Sequence, residues 1–300
     1  MITYIVRKIF IMEKAKVYFT KEITPESLVR LYDALGVHLD GNVAVKLHSG
    51  EEGNQNYLRP EFLKPIIEHV NGTVVECNTA YDGARNTTEK HEKLLENHGW
   101  SKYFKVDLLD AEGPDKELSI PDGFQIKKDY VGKDIDNYDS MLVLSHFKGH
   151  PMGGYGGALK QLSIGIASSY GKAYIHGAGD PDKLWTAPHD DFLESMADAA
   201  YAVHTKFKDH VVYLNVMKNM SVDCDCCAVA EDPCLKDIGV LISTDPIAID
   251  KACLELVNSS NDEGVAHFME RVNSRNGFHT IETAVKHGFG TTDYELINID

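Results

Sequence analysis

The sequence predicts an α/β protein: a single elaborated domain with a mostly parallel or mixed sheet flanked by helices. Short β-branched runs alternate with amphipathic stretches along most of the chain, the order expected when helices cross over between neighbouring strands. Asp245-Pro246 joins one such run to an apolar-periodic one; Asp is a good helix cap and Pro suits the first helical position, so a strand should feed directly into a helix there. The length of 300 residues, with 43% hydrophobic and 25% charged residues, is enough for a large core and is unlike a disordered or collagenous chain.

Strands are expected at 16–19, 42–47, 73–77, 105–109, 140–145, 211–216 and 238–243. Helices fall between them at 25–35, 59–70, 87–98, 158–166, 190–206 and 246–257, each carrying apolar residues at helical spacing. The stretch 112–139 is turn-rich and reads as a β excursion or subdomain; the tail after Asn258 reads as two short helices and a closing strand, "YELINI". Residues 1–13 are an N-terminal extension or an ordinary first strand, and 14–300 form the domain. Arg7 and Lys8 interrupt the opening apolar stretch, which argues against a secretory signal. No apolar run approaches the ~18–20 residues that cross a bilayer, so a cytoplasmic address is expected.

Charge narrows the partners. Thirty Lys+Arg against 46 Asp+Glu give a net charge of −16, which repels a phosphate backbone or an anionic lipid surface. Neither nucleic acid nor membrane is expected; a small anionic molecule remains, met by local basic groups.

Four of the six cysteines lie within eleven residues, at Cys224, Cys226, Cys227 and Cys234. In a reducing compartment such clustering points to metal or redox chemistry rather than disulfides, and thiolates select zinc, copper(I) or iron–sulfur clusters. The spacing matches neither zinc knuckles nor bacterial ferredoxin runs, so an iron–sulfur cluster and zinc both stay open. Asp223, Asp225, Glu231 and Asp232 add negative charge that needs a cation to offset it. Cys77 and Cys253 sit inside an expected strand and helix as core residues.

A second constellation runs from Leu144 to His176. A buried-looking strand ends in a segment bearing His146, Lys148 and His150, followed by Gly153, Gly154, Gly156 and Gly157 and a helix carrying Lys160. Ligands of open α/β sheets bind at this carboxyl edge. The histidines suit proton transfer or metal ligation, the lysines an anion, and the glycines close backbone approach to a cofactor. Lys46 and His48 end another strand, and Glu76, Asn78, Tyr81 and Arg85 follow a third, so several strands place polar groups on one rim. Asp250 is expected to complement the dipole of its own helix.

Taken as a set, "NVAVKLHSGE", "VVECNTAYDGAR", "SHFKGHPMGGYGGALKQLSIGIAS", "DCDCCAVAEDPCLKDIGVLISTDP" and "GFGTTDYELINI" resemble the domain-of-unknown-function family 362, often labelled iron–sulfur centre proteins. The likeness spans the chain from about Lys14. It implies one α/β domain with a metal or cofactor near the cysteine segment. Many relatives carry a ferredoxin-like insertion beyond the position of His176; "GAGDPDKLWTAPHDD" here has no cysteine, which leaves Cys224–Cys234 as the cluster candidate.

The resulting expectation is a metal- or iron–sulfur-dependent oxidoreductase or lyase. Cys224, Cys226, Cys227 and Cys234 would bind the metal, and Lys46, His146, Lys148, His150, Lys160 and His176 would form the substrate pocket. The alternatives are a non-catalytic metal carrier serving a redox partner protein, and a structural zinc site in a binding protein.

Overall fold

The computed structural model describes residues 14–300; the expected N-terminal extension lies outside the described residues. In chain order the first half comprises β1 (Ala15–Thr20), α1 (Pro25–Leu35), β2 (Val43–Lys46), α2 (Pro60–His69), β3 (Gly72–Glu76), α3 (Thr88–Asn97) and β4 (Val106–Leu108). A hairpin of β5 (Lys116–Ser119) and β6 (Lys128–Val131) then precedes β7 (Ser140–His146), and a second, of β8 (Lys148–His150) and β9 (Gly154–Gly156), follows it. Next come α4 (Ala158–Leu162), α5 (Ser169–His176), α6 (His189–Phe207), β10 (Val211–Met217), β11 (Gly239–Ser243), α7 (Pro246–Asn258), α8 (Val265–Ser274), α9 (Phe278–His287) and β12 (Tyr294–Asn298).

Eight strands form one mixed sheet in the order β12-β1-β11-β10-β7-β2-β3-β4. Strands β2, β3, β4, β7 and β10 run parallel, while β11 is antiparallel to both β10 and β1. From β2 the chain moves outward to β3 and β4, then returns to place β7 on the other side of β2 and β10 beyond it. That reversal opens a crevice at the carboxyl ends of β2 and β7.

Both faces of the sheet are covered, so its central strands are apolar on both sides. Met141 and Val143 of β7 enter one core with Phe192, Met196 and Ile249 from the helices, while Leu142 and Leu144 enter the other with Leu28, Leu31 and Ile66. The alternation is the period-2 direction change of a strand.

Local departures from expectation have local causes. The helix expected over 158–166 ends at Leu162. There Ser163 Oγ turns back onto the Leu159 carbonyl, and a Cβ on Gly165 would meet the Gln161 carbonyl oxygen at 2.1 Å. A separate helix, α5, begins at the Ser168 cap. Asp245 caps α7 as expected, accepting from Ile247 and Ala248 N–H at 2.9 Å. Asp250 does not serve its own helix; buried, it accepts from Ala158 and Leu159 N–H at the start of α4, where an anion suits the helix dipole.

Candidate functional site

A cavity of about 590 Å³ opens at the carboxyl edge of the parallel strands, within the range of small-molecule sites. Of the residues expected to form the pocket, Lys46, His150, Lys160 and His176 border it, and so do His48, Glu76, Tyr81 and Arg85. Lys172, Cys77 and Trp185 also line it. Cys77 is thus both core and wall; its thiol donates to the Ile166 carbonyl at 3.2 Å.

On the β2–β3 side every charge has a partner. Lys46 Nζ lies 2.6 Å from Glu76 Oε2, with both side chains almost wholly buried, and Ser49 donates from its N–H and hydroxyl to Glu76 Oε1 at 2.8 and 2.9 Å. Burial opposes ionisation of Glu76, but nearby positive charge, Lys46 first, outweighs it and holds the carboxyl well below its usual range. Arg85 donates through Nε and Nη2 to Glu51 at 3.1 Å. Tyr81 hydroxyl sits 3.2 Å from both Glu51 and the Cys226 carbonyl, tying this wall to the cysteine segment.

The cavity imidazoles differ in which nitrogen carries hydrogen, as their hydrogen bonds assign. Nδ1 of His150 accepts N–H bonds from Met152 and Gly153 at 3.1 and 2.8 Å, and Nδ1 of His48 accepts from Gly50 at 3.0 Å; the neutral rings therefore keep hydrogen on Nε2. His176 is reversed. Its Nδ1 donates to the Lys172 carbonyl at 2.8 Å, which leaves a lone pair on Nε2. Burial pushes His176 down to about 4, the Lys172 bond opposes this, and the Lys160 and Lys172 charges reinforce it.

The α4–α5 side is not neutralised. Lys160 and Lys172 form no salt bridge among the described residues, unlike Lys46 and Arg85. Lys160 is half-buried, and its stem passes beside Gly156. Lys172 is buried and donates to the Ala167 carbonyl at 2.5 Å; burial pulls its amine below the usual lysine value.

The cysteine segment meets this cavity. Ligand atoms of His150, Cys224 and Cys226 all lie within 4.8 Å of one another, and His150 Nε2 is 3.8 Å from Cys226 Sγ. Burial raises the Cys224 thiol to about 11, whereas a hydrogen bond from Cys226 lowers Cys227. The expected set of four sulfurs is not assembled. Cys234 Sγ turns to the Met220 carbonyl and packs on the core, and Cys227 borders the cavity outside the three-residue group.

Two expected pocket residues hold the segment from beneath instead. His146 Nδ1 is 2.9 Å and Lys148 Nζ 3.0 Å from the Asp225 carboxylate, all three buried, and neither His146 nor Lys148 borders the cavity. Lys148 supplies a cation to the acidic cysteine segment. Gly153, Gly154, Gly156 and Gly157 are buried and do not border the cavity themselves. A Cβ on Gly157 would meet the Asp250 carboxylate at 2.3 Å, and Gly154, with φ +79°, abuts Gly277.

Two thiols beside one imidazole are donors that suit a metal ion. Because Nδ1 of His150 is occupied by two N–H groups, its Nε2 hydrogen is directed at sulfur, and the thiols are the first donors. Among the described residues, no helix is long and apolar enough to cross a membrane.

A family profile described as a domain of unknown function (DUF362) matches residues 43–255. No curated protein matches the chain in sequence. Among solved structures, the lactate racemase apoprotein from Thermoanaerobacterium thermosaccharolyticum is similar over 80% of this chain and 57% of its own, with 15% identity and a TM-score of 0.47. A protein from Thermotoga maritima is similar over 87% of this chain and 58% of its own, with 14% identity and a TM-score of 0.44. The chain spans less than two thirds of either.

Proposed function

The chain belongs to the DUF362 family, and from the geometry of its cavity we propose that it is an enzyme acting on a small anionic substrate beside a thiolate-bound soft metal ion. The observation that carries this reading is the uncompensated side of the cavity: Lys160 faces it without a carboxylate partner, whereas Lys46 and Arg85 are spent on Glu76 and Glu51. An anion entering a chain of net charge −16 finds its counter-charge there.

The chain's own groups divide the work. Lys160 holds the anionic end, His176 Nε2 accepts a proton, and the Nε2–H group of His48 donates to developing negative charge. Cys224 and Cys226 hold the ion, with Asp225 fixed by His146 and Lys148 to keep the segment in place. A soft ion bound there supplies Lewis acidity at the sulfur wall.

Two measurements test this. Trp185 lines the cavity and is 65% exposed, so titration with small carboxylates should change its fluorescence saturably, with affinity reduced about tenfold in Lys160→Met, or ~1.4 kcal/mol. Elemental analysis of protein prepared without oxygen should find one soft metal ion, lost on Cys224→Ser with Cys226→Ser. Stoichiometric iron with acid-labile sulfide would instead establish a cluster and overturn the single-ion reading.

A further inference from the structure

We propose that Lys172 is a covalent catalytic amine that forms an imine with the carbonyl group of a small anionic aldehyde or 2-oxo acid, an inference that rests on the reading of the cavity as a small-anion site. Three features of its position support this. Lys172 lines the cavity, but the carboxylates that fix the other buried lysines, Glu76 for Lys46 and Asp225 for Lys148, leave it free. Its Nζ donates to the Ala167 carbonyl, one residue before the Ser168 cap of α5. The amine is therefore held at the positive end of a helix dipole, where a cation is disfavoured.

The surroundings act in the same direction. Burial is the strongest influence lowering Lys172, and Lys46 adds to it; Cys77, Asp110 and Glu76 oppose. Asp110 and Glu76 are already occupied, by the N–H groups of Asn78 and Ser169 and by Lys46 with Ser49. Asp129, on β6 against α5, is fully buried with both carboxylate oxygens unpartnered. Burial lifts it to about 7, and the charge acting against that rise is Lys172. Both shifts act toward the neutral pair, carboxylic acid and amine, and the neutral amine carries the lone pair with which a desolvated lysine attacks carbonyls.

The step balances without an oxidant. The Lys172 lone pair attacks the carbonyl carbon, a C–N bond forms, and the C=O π pair moves to oxygen. His176, four residues on and on the same helix face, relays both nitrogen protons through Nε2, the first to the alkoxide to give the carbinolamine hydroxyl and the second to that hydroxyl as it departs. The C–O bond breaks, water leaves, and C=N remains. Lys160 holds the substrate's anionic group meanwhile.

The test is reductive trapping on the full chain. Protein incubated with glyoxylate and cyanoborohydride, then analysed by peptide mass spectrometry, should carry the adduct on Lys172. Labelling there should be about tenfold or more faster than on an exposed lysine such as Lys93, 68% exposed. The preferential adduct should vanish in Lys172→Arg, and in Lys172→Met should the arginine variant fail to fold. Labelling of Lys172 no faster than Lys93 overturns the proposal. Trp185 fluorescence, read in parallel, separates the two readings: saturable binding of glyoxylate without the adduct removes only the role of Lys172, and absence of binding removes the small-anion site as well.

Discussion

The two walls of the cavity use the same residue type for opposite purposes. On the β2–β3 wall, Lys46 is a counter-ion, buried against Glu76 and unable to leave it without exposing two charges to a dry interior. On the α4–α5 wall, Lys172 is also buried but holds only a backbone carbonyl. Burial therefore does not define a lysine's role; the partner does. A paired buried lysine is scaffold, and one without a carboxylate is a reactive group whose desolvation is tolerated because the surrounding fold is stable enough to hold it.

The largest effect should come from breaking that contrast at its paired side. Glu76→Gln leaves the Lys46 charge buried without its counter-ion, and the loss expected for severing a buried pair is about 3–5 kcal/mol. Lys172→Met removes a buried amine that has no carboxylate partner and fits its stem volume, so its stability should change by less than ~1 kcal/mol. Urea unfolding of the two variants side by side makes the comparison. Equal losses would mean that both walls are scaffold.

The difference between the walls was only half visible in the sequence. Strand ends advertise themselves, so Lys46, His150 and Lys160 could be placed at one rim from β-branched runs and the residues that follow them. His146 and Lys148 read as part of the same rim because they lie on the same run. What removed them is Asp225, some eighty positions away, whose carboxylate lies within 2.9–3.0 Å of both. The sequence showed that the cysteine segment needed a cation; pairing across the fold showed that the protein provides its own. Lys172 is hidden in the sequence for a converse reason. Its helix is only eight residues long and follows an apolar run that reads as a continuation of α4. The available signal was the Ser168-Ser169 cap with Lys172 and His176 spaced by four, which puts amine and imidazole on one face. A glycine needed for close packing, as at Gly157 against Asp250, has the same letter as one needed for a ligand, so a glycine run alone does not tell the two apart.

A smaller effect should appear in the pH dependence, and it belongs to the unpaired wall. His176 is neutral in the fold until about pH 4, with burial the main cause and Lys160 and Lys172 adding to it. In the unfolded chain the ring takes up a proton near pH 6.5. The unfolded state thus binds more protons between those values, so the contribution of this site is complete above about 6.5 and declines as pH falls toward 4. Glu76 behaves differently: its folded carboxyl titrates well below the ordinary range, so the stability it confers persists through that window and is lost only in stronger acid. His176→Gln should therefore flatten the loss of stability between pH 6.5 and 4 by on the order of 1–3 kcal/mol, as measured by urea unfolding at each pH. An unchanged slope would show that the fold does not depress His176, and that burial leaves the ring as easy to protonate as in the unfolded chain.

The smallest energetic effect carries a sharp distinction, because the chain's two tryptophans report on the two walls separately. Trp100 is fully buried and donates from Nε1 to the Ser49 carbonyl at 3.1 Å, behind the Lys46–Glu76 pair; Trp185 stands at the open mouth. Trp185→Phe should alter stability by less than ~0.5 kcal/mol, as expected for an exposed position, yet abolish the fluorescence response to carboxylates. A rigid, charge-satisfied wall gives Trp100 no reason to sense an anion held across the cavity by Lys160. If a saturable response survives in Trp185→Phe, Trp100 is its only source. The β2–β3 side then rearranges on binding, and its ion pairs belong to the binding machinery rather than to the scaffold.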